Sequence, residues 1–108
     1  MMTPALSSGG DMEYLIERTD GEWFDLPYAP YSDVLHPTSF PWQRVDGWGD
    51  HRICVLGCDI AFSDEPPGLQ ISFEGNTVSR TQAQQIVAQI AQNITAATGQ
   101  TACVVEIT

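Results

Sequence analysis

The chain has 108 residues, no lysine, and a net charge of −10 from 14 acidic residues set against four arginines. That length supports one domain around one core, and a composition of 43% hydrophobic and 17% charged residues is that of a globular chain rather than a disordered one. The acid excess excludes a phosphate-tracking nucleic-acid binder and an anionic-membrane docking module, both of which need lysine and arginine, and no apolar run reaches the roughly 20 residues of a spanning helix.

Residues 1–11 are small, polar and rich in Gly and Ser. They read as a flexible N-terminal arm ahead of a single domain over residues 12–108. With neither a basic start nor an apolar stretch they do not read as a secretory signal, so a cytoplasmic location is expected. Residues 12–18 alternate, with Met12, Tyr14 and Ile16 on one side and Glu13, Leu15 and Glu17 on the other. Period two predicts a strand, ended by Thr19-Asp20-Gly21.

Residues 19–51 hold four of the seven prolines (Pro27, Pro30, Pro37, Pro41) and seven of the ten aromatics. Proline removes a backbone donor and pushes its predecessor out of the helical region, so neither period survives here. Short strand pieces are expected at residues 23–26 and 42–45. A connection of this length is uncommon in a small domain and is often functional.

Residues 52–62 predict one long strand with Cys54, Leu56, Cys58, Ile60 and Phe62 on its apolar face. Residues 63–68 (SDEPPG) have turn chemistry. Leu69, Ile71 and Phe73 then alternate inward, completing a β-hairpin. Ser79 and Gln82 form a capping box at the start of a helix over residues 80–98. Its apolar stripe is Ala83, Ile86, Val87, Ile90, Ala91, Ile94 and Ala97, and Gly99 ends it in the left-handed conformation. A last strand over residues 102–107 sets Cys103, Val105 and Ile107 on one side. It should run parallel to residues 69–74 and antiparallel to residues 53–62. The expected fold is α+β: a two-layer sandwich of a mostly antiparallel sheet, about four to five strands, with one long helix from the C-terminal half on one face.

No catalytic motif is present. Cys54, Cys58 and Cys103 are too few for a disulfide framework and read as free thiols in a reducing compartment. In a strand, His51 and Cys54 face opposite ways, and Cys54 and Cys58 lie about 13 Å apart. These residues with His36 therefore cannot close around zinc at roughly 2.0–2.3 Å, and no metal or cofactor is expected. Asp64 and Glu65 read as solvated acids on a turn. Asp33 with His36, and Asp50 with His51, could form acid–base pairs. The amide-rich helix face (Gln82, Gln85, Gln89, Gln92, Asn93) is either solvated or a surface for self-association.

Charge placement is the most informative feature. Residues 79–108 carry only Arg80 and Glu106, whereas residues 11–74 hold 13 acids and three arginines. Within residues 19–51 the acids interleave with large rings. Trp23, Asp25, Tyr28, Tyr31, Asp33, Trp42, Asp46, Trp48 and Asp50 are therefore the candidate partner-binding residues: the rings supply contact area, and the field steers a basic protein.

In its size, acidity, lack of catalytic motifs and single α+β layout, the chain resembles the small immunity proteins of bacterial polymorphic toxin systems. The resemblance implies a non-enzymatic inhibitor that covers the active site of a cognate basic toxin domain, a nuclease being the first candidate. The alternative is a small enzyme or ligand-binding domain with a pocket under residues 19–51, using the Asp/His pairs.

Overall fold

The alternation of residues 12–18 is realised as β1 (Met12–Arg18), with Met12, Tyr14 and Ile16 buried. The computed structural model describes residues 12–22, 31–65 and 68–107, so the expected arm over residues 1–11 and the strand piece at residues 23–26 lie outside the described residues. After β1 the chain forms α1 (Tyr31–Val34), β2 (Gln43–Arg44), β3 (His51–Val55), β4 (Cys58–Glu65), β5 (Gly68–Glu74), α2 (Arg80–Thr98) and β6 (Ala102–Glu106). The six strands among the described residues make one sheet in the order β2-β3-β4-β5-β1-β6. Every neighbouring pair is antiparallel.

The expected single strand over residues 52–62 is instead two strands folded against each other. Leu56 (φ +54°) and Gly57 (φ +78°) both occupy the left-handed region, as a two-residue type I′ hairpin turn requires. The turn resets the alternation. His51, Ile53 and Val55 face inward on β3, and Cys58, Ile60 and Phe62 face inward on β4. Cys54 therefore lies on the opposite face, and Leu56 is exposed on the turn. β4 also runs on through Asp64 and Glu65, which belong to a strand end rather than to a turn. This split, together with β2, raises the sheet to six strands.

β5, α2 and β6 follow the expected order, and β6 runs in the direction of β5 with β1 inserted between them. The capping box is present: the Gln82 amide N–H donates to Ser79 Oγ and the Ser79 N–H donates to Gln82 Oε1. Gly99 ends α2 at φ +72°. Ala83, Ile86, Val87, Ile90, Ala91 and Ile94 are buried, while Ala97 is exposed and falls outside the stripe. The helix packs on the inward face of the sheet, where Tyr14, Ile16, Ile53, Ile60, Phe62, Ile71 and Phe73 are buried with it. Full burial of such side chains contributes about 1.5–3 kcal/mol each before entropy. Burial also raises the Tyr14 phenol above its ordinary pKa, against the opposing effect of Arg80.

Residues 31–40 close the β2 end of this core. Val34, Leu35 and Pro37 are buried. Gln89 Oε1 accepts from the Thr38 and Ser39 amides, and Asn93 Nδ2 donates to the Val34 and His36 carbonyls. Part of the amide-rich face of α2 is thus an internal clamp. None of the three cysteines is in a disulfide; Cys58 is buried, and Cys54 and Cys103 are partly exposed.

Candidate functional site

Alternation leaves the sheet with a second face that α2 does not cover. Strand register places Cys54, Asp59 and Glu74 in one row across it, with Gln43 at the β2 end. The next row is Arg52, Ala61, Ser72 and Glu13. Ser63, Gln70, Leu15 and Val105 follow, and Glu65, Glu17 and Cys103 lie at the far end. Among the described strand residues, five acids thus share this open face with one arginine, whereas α2 on the other side of the sheet carries no acid and one arginine. On the helix side the strand ends carry both signs, Arg18 and Arg44 with Asp64 and Glu106, so the excess of acid lies on the open face.

The loop joining β2 and β3 folds back onto the open face. Asp50 anchors it twice: its N–H donates to the Phe62 carbonyl at 2.7 Å, and its carboxylate accepts from the Asp64 N–H at 2.8 Å. Gly49 (φ +105°) lies so close to β4 that a Cβ would meet the Phe62 carbonyl at 2.9 Å, so glycine is required by both conformation and space. This approach lets Trp48 reach across β3 and β4. Its indole N–H donates to Glu74 Oε2 at 2.5 Å, and its ring lies 6.0 Å from the Arg52 guanidinium carbon. The ring remains 53% exposed.

Arg52 is the hub beneath that ring. It is ion-paired with Asp59 at 2.9 Å and with Glu74, and its own side chain is only 11% exposed. Burial works to lower its pKa, but the hydrogen bonds to Glu74 and Asp59 outweigh it and hold the guanidinium above its ordinary value. The hub fixes two carboxylates and one indole in a single arrangement, which reduces what ordering them against a partner costs.

Of the sequence candidates, Asp46, Trp48 and Asp50 come together on this loop. Asp33 and Trp42 do not join them. Asp33 is exposed on α1, and Trp42, 36% exposed, stacks on His36 with ring centroids 4.7 Å apart and planes 12° apart. These two sit where residues 31–42 wrap the β2 end from the helix side. Tyr31 begins α1. Trp23, Asp25 and Tyr28 lie outside the described residues. The open-face acids Glu13, Glu17, Asp59 and Glu74 were missed as candidates, although their signal was present as the polar half of each strand's alternation.

Neither Asp/His combination brings a carboxylate to an imidazole. His36 Nε2 meets the Asp33 backbone carbonyl at 3.1 Å, and Nδ1 meets the Pro37 carbonyl at 3.0 Å. Both partners are acceptors, so a neutral ring satisfies one at a time. His51 faces the core at 2% exposure, with its ring 5.5 Å from that of Phe62. Burial, then Arg44 and His36, lower its pKa to about 4 against a hydrogen bond to Leu35. Among the described residues no group of three or more His, Cys, Asp or Glu stands close enough to hold a metal ion, and no helix is long and apolar enough to cross a membrane. Asp20 is held below the usual carboxylate range by the Glu22 N–H and by Arg18.

The chain matches no family model, no curated protein and no solved structure.

Proposed function

We propose that the protein is a non-enzymatic, acidic protein-binding module, of the kind that neutralises a basic bacterial toxin domain as an immunity protein does. The open face of the sheet, with the Trp48 loop across it, is its contact surface. One observation carries this reading: a half-exposed indole, held in place by Arg52 and Glu74, stands on the acid-bearing face of the sheet, opposite a helix that carries no acid. A fixed aromatic supplies contact area at low entropic cost, and carboxylates around it attract a cationic partner and favour the right orientation on approach. Trp42 and Asp33, at the β2 end, extend the surface around the sheet edge.

The test begins with capture of the partner from the native host by the immobilised chain, followed by stopped-flow association with the purified partner. Association should slow steeply as salt rises, because the steering field is screened within about 8–10 Å at physiological ionic strength. Asp46→Asn with Asp50→Asn should slow association, and Trp48→Ala should speed dissociation. A partner that is itself acidic, or one bound equally well by the triple variant, would overturn the assignment.

A further inference from the structure

The two edges of the sheet are not alike. β2 is two residues long, lies just after Pro41 and carries Arg44, features that discourage strand pairing. β6 is five residues long, with neither proline nor basic residue, and Val104 and Val105 are 40% and 43% exposed. Its pairing with β1 defines which backbone groups are open. The Ile107 N–H donates to the Glu13 carbonyl and the Thr19 N–H donates to the Thr101 carbonyl. With Leu15 opposite Val105 and Glu17 opposite Cys103, the odd-numbered residues bond inward to β1. The even-numbered ones turn their N–H and C=O groups away from the sheet. Thr95 Oγ1 already accepts from the Ala102 N–H. The open set is therefore the N–H and C=O of Val104 and Glu106, with the C=O of Ala102.

Beside this edge, on the helix side, runs an open groove of about 430 Å³ lined by Ala88, Ala91, Gln92, Ala96, Ala102 and Val104. Its charge is as informative as its shape. In a chain of net −10, residues 79–108 carry one arginine and one glutamate, and these two are ion-paired to each other. A basic partner is drawn to the opposite layer. Another acidic molecule of the same net charge meets less repulsion here, because the one glutamate is neutralised by Arg80.

We infer that the chain forms a two-fold homodimer through antiparallel pairing of β6 with β6 of a second copy, continuing the sheet to twelve strands. In the proposed register Val104 and Glu106 of one copy pair with Glu106 and Val104 of the other, giving four backbone hydrogen bonds. Val105 then faces its own counterpart across the axis as a non-hydrogen-bonded pair. The α2 helices flank the axis on one side of the sheet, their Ala88–Gln92–Ala96 strips facing each other across the groove. Small side chains there allow close approach. The acid-bearing open face stays unobstructed in both copies, so the dimer presents it twice.

Sedimentation equilibrium of the full chain, at a salt concentration that screens its net charge, tests the pairing. The expected result is a reversible monomer–dimer equilibrium. Val105→Lys, which sets two like charges against each other at the axis, should weaken it at least tenfold. Val104→Pro should do the same, because it deletes an outward N–H and leaves the bonds to β1 intact. Far-UV circular dichroism should be unchanged in both. Gln43→Lys, on the other edge, should leave the dimer as it is. In a Cys103→Ser background, Val105→Cys should cross-link two chains on oxidation, since non-hydrogen-bonded antiparallel pairs have the spacing a disulfide needs. A wild-type chain that stays monomeric at every concentration, a larger assembly, or a dimer untouched by both edge variants would overturn the proposal.

Discussion

Trp48 and Glu74, 26 positions apart in sequence, are joined by a 2.5 Å hydrogen bond from the indole N–H to the carboxylate. It ties the β2–β3 loop to a strand two places away in the sheet. Trp48→Phe keeps most of the ring and deletes the donor. We expect a loss of about 1 kcal/mol or less, because Glu74 remains in reach of water. Hydrogen exchange at residues 46–49 should quicken, while the Asp50 amide, bonded to Phe62, stays protected. Equal exchange in variant and wild type would show that Asp50 alone holds the loop.

Arg52 separates two carboxylates that register sets side by side, Asp59 opposite Glu74. Arg52→Met should destabilise the fold by about 2 kcal/mol: it removes charged hydrogen bonds and leaves two like charges on adjacent strands. Adding Asp59→Asn should recover part of that loss, a non-additivity visible in urea denaturation. Strict additivity of the two changes would refute the coupling.

The turn between β3 and β4 carries a strained residue. Leu56 sits at φ +54° and is 42% exposed, so its side chain gives little packing in return for the conformation. Leu56→Asn should raise stability by about 0.5–1 kcal/mol, since Asn-Gly suits a type I′ turn. Gly57→Val should lower it by more than that, because a β-branched residue at φ +78° is strongly disfavoured. Thermal unfolding of the two variants should move in opposite directions.

His51 links folding to pH. In the folded chain burial lowers its pKa to about 4, against the ordinary 6.5. The unfolded state therefore binds the proton more readily. The contribution is fully present above about pH 6.5, falls as pH drops toward 4, and is exhausted below it. A gap of that size corresponds to an upper bound on the order of 3 kcal/mol. His51→Gln should flatten the stability curve between pH 6.5 and 4 relative to wild type, as measured by denaturant midpoints. A curve of unchanged slope would place the acid sensitivity elsewhere.

Much of the fold was legible because its signals are local. Ser79 and Gln82 announce the start of α2, Gly99 its end, and Leu69-Ile71-Phe73 the inward face of β5; each depends on residues within one turn or one strand. The β3–β4 turn was hidden because its first residue is leucine, a residue that hydrophobic patterning assigns to a strand interior. Only Gly57 hinted otherwise, and one glycine inside an apolar run is ambiguous. The candidate surface was legible as composition but not as geometry. Asp46, Trp48 and Asp50 lie close in sequence and stay together in space. Glu74 and Arg52 join them only through register, which depends on the turn the pattern concealed. His36 and Trp42 stack because residues 31–40 dock on Gln89 and Asn93 of α2, a contact some 50 positions away that no periodicity encodes.

On β1, β4 and β5 the side chains that build the interior and those that carry charge occupy alternate positions of the same short segments. Glu13 and Glu17 can therefore be exchanged without emptying any volume among Tyr14, Ile16, Ile60 and Phe73, whereas Asp59 and Glu74 are also held as counter-ions of Arg52. Substitutions on the outer half that leave the Arg52 pairs intact should thus cost little stability, while the hydrophobic half of each segment stays constrained.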